Sequence, residues 1–374
     1  MLRIALVGCG KIGREHASQI RKIGGCELVG VCGRDLAKVK QFGEQFSVES
    51  HFDSVLNLLR EIRPDAVHIT TPPQSHFEIA KLCLEAGSHV YVEKPFTLDA
   101  EQAAKLIQLA EKNGRKLTVG HDQQFTRAAL RMRALIRSGF LGGPPVHMEC
   151  HYGYDLEDST YARALLADKN HWVRFLPGKL FQNIISHGIA RISELLETDD
   201  PQVLAIGFVS PYLKKLGEIE LTDELRVVIC EQGRAKAYFT FSTQIRPSLH
   251  EFRVYGPRNG LLLDHDHDVL IRLRGSKWKS YADKFVPPVT FAAQYLGNLF
   301  GNTGLFLAGK FRMNSGRRRL IKSFYDSICH DSPVPVPYTE ILRTARIMDS
   351  IIHQLSDCRS MGGSGLQTSA IVAE

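Results

Sequence analysis

Leu2-Arg-Ile-Ala-Leu-Val7 runs without a break into Gly8-Cys-Gly10-Lys11-Ile12-Gly13, and from there into Arg14-Glu-His16-Ala-Ser-Gln-Ile20-Arg-Lys-Ile23. The first run has the aliphatic content of a strand buried on both faces of a parallel sheet. In the last, Ile12, His16, Ile20 and Ile23 recur at helical spacing. Glycines placed between a strand and a helix carry weight that the same glycines alone do not. Gly8 permits a tight turn, Gly10 admits a pyrophosphate close to the backbone, and Gly13 lets the helix approach the strand. Free N–H groups where the helix begins, at Lys11 and Ile12, supply the positive end of its dipole. The stretch reads as a dinucleotide-binding turn.

The next strand, Glu27-Leu-Val-Gly-Val-Cys32, ends in Gly33-Arg34-Asp35. An acidic residue about 20 positions beyond the glycines would bind ribose hydroxyls. Here that place falls on Gly33, with Arg34 beside it, which suits a 2′-phosphate. Asp35 would serve NAD if the turn is one residue longer. The cofactor expected is therefore NAD(P), leaning to NADP.

Farther along, helices at 36–46, 54–61, 77–86 and 99–113 alternate with strands at 47–52, 66–70, 88–92 and 116–121. Alternation of this kind predicts a doubly wound parallel sheet whose carboxyl-end loops collect the ligand-binding residues. It stops after His121. A basic helix follows over 125–138, then strands at 146–154, 203–210, 225–230, 235–243, 251–256 and 260–264, with one helix over 179–196. The fold class expected is α/β: a Rossmann domain over 1–123, then an α+β domain over 124–358 with a large, mostly antiparallel sheet. Residues 359–374 are expected to be a disordered tail.

Composition narrows the functions. Across 374 residues the formal net charge is +7, with no long basic block, so no nucleic acid partner is expected. Eight cysteines without a C-x-x-C pair point to reduced thiols and a cytoplasmic location. A strand starting at residue 2 leaves no room for a leader. The run Asp264-His-Asp-His-Asp268 would put His265 and His267 on one strand face without an obvious third ligand, and no metal is expected. Phe285 to Gly309 is uncharged but carries two prolines, amides and glycines, which argues against a transmembrane helix. Burial in a subunit interface is the expectation there, with a peripheral membrane contact over 285–319 as the alternative.

With these pieces placed, residues 1 to 358 resemble the glucose–fructose oxidoreductase/inositol dehydrogenase/MocA (Gfo/Idh/MocA) family. The resemblance rests on the glycine turn, Thr71-Pro72 followed by His76, the triplet Glu93-Lys94-Pro95, and Asn183-Ile-Ile-Ser-His187. It implies an NAD(P)-dependent oxidoreductase acting on a secondary alcohol or ketone of a sugar, sugar nucleotide or polyol, in a homo-oligomer (dimer or tetramer). Cofactor-binding residues implied are Gly8, Gly10, Lys11, Ile12, Gly13, Arg34, Thr71, Pro72, His76 and Glu93; catalytic ones are Lys94, His187 and Asn183. Asn183 stands where the family typically has aspartate, and asparagine cannot act as a base near neutral pH. Proton transfer then falls to Lys94 or His187. Alternatives are an NAD-dependent glycosidase of the same fold, or a non-catalytic cofactor-binding protein. Gln123-Gln124-Phe125 lacks the arginine that the family often has before this phenylalanine, with Arg127 as a substitute for an anion contact.

Overall fold

The computed structural model describes residues 1–156, 165–218, 220–275, 281–309, 311 and 315–360. Of the tail expected to be disordered, 359–374, residues 361–374 lie outside them, while Arg359 and Ser360 belong to the last helix. The first sheet has six parallel strands in the order β3-β2-β1-β4-β5-β6, with β1 Leu2–Val7, β2 Cys26–Cys32, β3 His51–Phe52, β4 Ala66–Ile69, β5 His89–Val92 and β6 Leu117–Val119. The order reverses between β1 and β4, which opens a crevice at the carboxyl ends, where ligands of such sheets bind. Ile4, Ala5, Leu6 and Val7 are fully enclosed, as a strand covered on both faces requires.

Helices α1 Lys11–Ile20, α2 Leu36–Phe46, α3 Val55–Ile62, α4 His76–Glu85 and α5 Ala100–Lys112 cover this sheet. Short polar side chains start several of them. Asp35 accepts from Lys38 N at 3.2 Å, Ser54 from Asn57 N at 3.5 Å, and Asp99 from Gln102 N at 2.7 Å.

Beyond α6 Arg127–Arg137, the second sheet has seven strands in the order β13-β12-β11-β7-β10-β9-β8. These are β7 His147–Gly153, β8 Gln202–Phe208, β9 Glu224–Cys230, β10 Lys236–Ser242, β11 His250–Tyr255, β12 Asn259–Asp264 and β13 Val269–Arg274. Every pairing is antiparallel except β7 with β10. The helix expected over 179–196 is interrupted at Ile185, giving α7 Lys179–Ile184 and α8 Ser186–Ser193. Ile185 keeps near-helical angles (φ −75°, ψ −13°), so the chain hardly changes direction there.

A short helix α9 Pro211–Lys215 and the long α10 Ala282–Leu307 precede α11 Ser315–Cys329 and α12 Tyr338–Ser360. Leu320, Ile321, Phe324 and Tyr325 of α11 pack into the core of the first sheet, so that core draws on residues well beyond 123. Among the described residues no helix is long and apolar enough to cross a membrane. The acidic–histidine run is a turn between β12 and β13, with Asp268 at φ 50°, and β13 follows where the sequence reading placed no strand.

Candidate active site

The glycine turn has the shape its sequence asks for. Gly8 sits at φ +109°, and a Cβ there would lie 2.8 Å from the Thr70 main chain. A Cβ on Gly13 would meet the Gly8 carbonyl oxygen at 2.1 Å, so α1 starts against the turn only because the residue is glycine. Around Gly10, by contrast, a Cβ would find nothing within 4 Å. Thr70 Oγ1 donates to the Gly8 carbonyl at 2.7 Å and ties the turn to the end of β4.

A cavity of about 660 Å³ opens above this turn. Gly8, Gly10, Arg34, Thr71 and Pro72 line it, together with Gly33, Asp35 and Trp172, which precedes α7. It fits an extended dinucleotide: glycines clear the approach, and the N-terminus of α1, with Gly10 as its N-cap residue, points into it. Lys11 and Ile12 lie in the first turn of α1. Gly13, His76 and Glu93 are buried behind the lining. Cys9, inside the turn, is a thiol and not a thiolate, since burial pushes it up to about 11.

His76 and Glu93 brace the site from within. His76 Nδ1 lies 2.9 Å from the Pro95 carbonyl and Nε2 2.8 Å from the Thr71 carbonyl, so the ring spans the loops after β4 and β5; both oxygens only accept, and the neutral ring donates to one of them. Glu93 Oε1 pairs with His16 Nε2 at 2.8 Å. His16 Nδ1 meets His68 Nδ1 at 2.8 Å, and His68 Nε2 meets the Tyr325 hydroxyl at 2.9 Å. This buried chain joins α1, β4, β5 and α11. An ionised carboxylate only accepts, so His16 Nε2 donates to Glu93, and one of the two facing Nδ1 atoms carries the proton that the other accepts. Burial would raise the Glu93 carboxyl, but the His16 hydrogen bond, with Arg317 and Lys94 nearby, brings it down to about 2.

Lys94 leaves the end of β5 and reaches across to α7. Its Nζ donates to the Asn183 carbonyl at 2.9 Å. Burial lowers its pKa from 10.5, against Glu93 and Asp122, which raise it, while Arg317 lowers it further. His187, four residues after Asn183, is held well below 6.5 by burial and then by the Lys94 charge. Its ring lies 6.0 Å from that of His121, which burial lowers to about 4. The Nδ1 atoms of both rings are buried without a hydrogen-bond partner among the described residues. Lys94, Asn183, His187 and His121 thus converge where the carboxyl ends of β5 and β6 meet α7 and α8: one ammonium and two neutral imidazoles with unspent nitrogens.

The surrounding shell was not visible in the motifs. Asp122 pairs with Arg317 at 3.0 Å, and Arg317 also holds Glu15 at 2.7 Å. Arg191, fully enclosed, donates to the Gln123 carbonyl and to His265 Nε2, each at 2.6 Å. Gln123 Nε2 donates to the Tyr152 hydroxyl at 3.1 Å. Arg127 is occupied by Asp268 at 3.5 Å and Asn302 at 2.5 Å. It lines a separate cavity of about 750 Å³ whose walls include neither Lys94 nor His187. The remaining residues of the acidic–histidine run pair locally, Asp266 with His250 and Asp264 with His267, both at 2.7 Å. Among the described residues no group of three or more His, Cys, Asp or Glu could hold a metal ion.

Residues 2–121 match the model of an oxidoreductase family with an NAD-binding Rossmann fold, GFO_IDH_MocA. D-glucoside 3-dehydrogenase of Escherichia coli (strain K12) is 32% identical over 142 residues, 38% of this chain and 40% of that protein. UDP-N-acetylglucosamine 3-dehydrogenase of Acidithiobacillus ferrooxidans is 34% identical over 148 residues, 40% of this chain and 44% of its own length. The chain thus spans less than half the length of these curated relatives. Over the whole chain the fold is similar to an NAD binding oxidoreductase from Klebsiella pneumoniae, with a TM-score of 0.76, 20% identity and 96% and 97% coverage. It is likewise similar to the WlbA dehydrogenase from Bordetella pertussis, solved with NADH and UDP-GlcNAcA, with a TM-score of 0.73, 18% identity and 96% coverage of both chains.

Proposed function

We propose, from the match of residues 2–121 to an oxidoreductase family with an NAD-binding Rossmann fold, that the chain is an NAD(P)-dependent oxidoreductase. It moves a hydride to or from a secondary alcohol or ketone carbon of a sugar, sugar nucleotide or polyol. One observation carries the reading: the Lys94 ammonium, at the carboxyl end of β5, is held by the Asn183 carbonyl, one turn from His187.

The nicotinamide, when bound, supplies the hydride acceptor or donor. Gly8, Gly10 and the start of α1 would hold the pyrophosphate, and Arg34 the adenosine ribose end. Lys94 holds and moves the proton of the substrate oxygen, since burial has already disfavoured its charged form. His187, neutral and with a free Nδ1, orients that oxygen or accepts its proton. Asn183 fixes Lys94 through its carbonyl and cannot itself titrate.

NADP is the cofactor we favour, because Arg34 lines the cavity while the Asp35 carboxylate is engaged as the N-cap of α2. A homo-oligomer and a cytoplasmic location belong to the same reading. Leu204, Ile206, Phe208 and Tyr238, exposed on the second sheet, suit contact with another copy.

The test is a panel of sugars, sugar nucleotides and polyols with NAD or NADP, followed through the reduced-nicotinamide absorbance. A stoichiometric change with one of them is expected. Product without net absorbance change would instead favour the glycosidase, and inertness across the panel a cofactor-binding protein without turnover.

A further inference from the structure

Helix α10 is inside out. Gln294, Asn298 and Asn302, four residues apart, face the protein. Gln294 accepts from Arg272 N at 2.8 Å and donates to the Arg272 carbonyl at 3.2 Å. Asn298 accepts from Leu270 N at 3.4 Å and donates to the Leu270 carbonyl at 3.1 Å, and Asn302 donates to the His267 carbonyl at 3.1 Å. β13 is the last strand of its sheet, and these amides occupy the outward main-chain groups that another strand would have taken. The polar residues of the helix are thereby used on its inner side.

What remains outside is mainly apolar, with Lys284, Thr290 and Thr303 its exposed polar side chains. Phe285, Val289, Leu296, Phe300 and Leu307 follow one another at spacings of four, seven, four and seven, which puts them on the side opposite Asn298. Phe285 and Phe300 are each 69% exposed and Leu307 79%. A helix of 26 residues is about 39 Å long, so this stripe is far larger than a scattered surface residue. Its rim is cationic: Arg272 and Arg274 stand exposed on the strand beneath it, Lys284 is exposed in its first turn, and Asp283 is the one acidic residue within the helix.

We propose that α10 docks the protein on an anionic lipid surface, lying in the plane of the headgroups with its outer stripe among the acyl chains. The polarity decides between lipid and a second copy. Cations on both sides of a two-fold contact would repel, whereas against lipid phosphates they attract, and the apolar stripe adds the non-electrostatic part of binding. The helix lies on the surface and does not cross the bilayer, since it is not apolar enough to span one.

The experiment is flotation of the full chain with vesicles of phosphatidylcholine alone or mixed with phosphatidylglycerol, at low and high salt. Binding to the mixed vesicles is expected, weakened by salt and by omission of phosphatidylglycerol. Phe300→Ser with Leu307→Ser should lower the partition at least about ten-fold, as loss of two large side chains from an apolar contact requires. Lys284→Glu with Arg274→Glu, which leaves the apolar stripe intact, should lower binding to mixed vesicles and leave the weak binding to phosphatidylcholine alone unchanged. Failure of the unaltered chain to float with mixed vesicles at low salt overturns the proposal. So does binding to mixed vesicles by both double variants equal to that of the unaltered chain. A drop in mass on sedimentation for Phe300→Ser with Leu307→Ser, with vesicle binding retained, would assign the stripe to a second copy.

Discussion

Lys94 Nζ and the main-chain carbonyl of Asn183 are 2.9 Å apart, and the bond joins the carboxyl end of the first sheet to a helix packed on the second. A carbonyl can only accept, so the contact favours a nitrogen that keeps its N–H bonds, whether ammonium or amine. The charge of Lys94 is set elsewhere: burial lowers its proton affinity, Glu93 and Asp122 raise it, and Arg317 lowers it. Position and proton affinity are thus controlled by different groups, and substitutions should separate them.

Arg34 tests the cofactor end. If its guanidinium pairs with a 2′-phosphate, Arg34→Ala should weaken NADP binding by about 1.5–3 kcal/mol, the scale of a charge-assisted hydrogen bond. NAD binding should hardly change, because Gly8, Gly10 and the N-terminus of α1 are untouched. Titration of both dinucleotides checks this. Equal losses for the two would turn Arg34 into an adenine-stacking residue.

Much of this architecture could be read from the chain because parallel strands are aliphatic and end at glycine or proline. Leu2–Val7 with Gly8, and Ala66–Ile69 before Pro72, are of that kind. β13 escaped because Val269–Arg274 follows a charged run that reads as a strand end, whereas residues 265–268 turn the chain back. α10 escaped because Pro287 and Pro288 look like helix breakers, yet the helix runs through both. For the site, local motifs pointed to Lys94, His187 and the glycines. They could not point to the partners of Glu93, since His16, His68 and Tyr325 meet only through tertiary packing; the last two are 257 positions apart.

That chain gives the second prediction. With His16→Phe, Glu93 loses the hydrogen bond that offsets its burial, and its carboxyl should rise from about 2. If burial, no longer offset, carries that carboxyl into the pH range in which Lys94 titrates, Glu93 supports the Lys94 ammonium less, and the proton affinity of Lys94 should fall. In the direction of alcohol oxidation, which needs the free amine, the rising limb of the kcat/KM profile should move to lower pH. His16→Gln, which can still donate, should move it less. A limb unmoved in both variants would mean that the chain only packs.

Acid should destabilise the fold early. His121 has a folded pKa of about 4 against an ordinary 6.5, and burial lowers His68, His76 and His187 in the same direction. Between those values the unfolded chain binds protons that the folded one refuses, so this stability is complete above about 6.5 and is lost as the pH falls toward 4. Glu93 continues the loss between 4.5 and about 2. Glu340, raised by burial and Glu194 to about 7, runs the other way, as do the raised Asp122, Asp349 and His267, but among the described residues seven imidazoles are lowered. Each proton taken up on unfolding contributes a slope of about 1.4 kcal/mol per pH unit. Urea unfolding at pH 7, 6 and 5 should show a falling free energy; a flat or rising series would contradict the neutral imidazoles.

The mechanism itself turns on dividing the work between Lys94 and His187. Lys94→Ala removes the proton carrier and the bond to Asn183 but leaves the glycine turn intact, so turnover should vanish while dinucleotide binding persists. His187→Ala should lower kcat roughly 10²–10⁴-fold, the range for a positioned acid–base group. Because His187 is already neutral well above its lowered pKa, its own titration should add no limb between pH 6 and 8. Asn183→Asp keeps the carbonyl that holds Lys94 and places a carboxylate nearby, so activity should survive with the Lys94 limb moved to higher pH, since a neighbouring negative charge favours the ammonium. Steady-state rates on whichever sugar or polyol turns over, with a parallel dinucleotide titration, separate the three variants. Normal turnover by Lys94→Ala would remove the proposed chemistry while leaving the cofactor site standing.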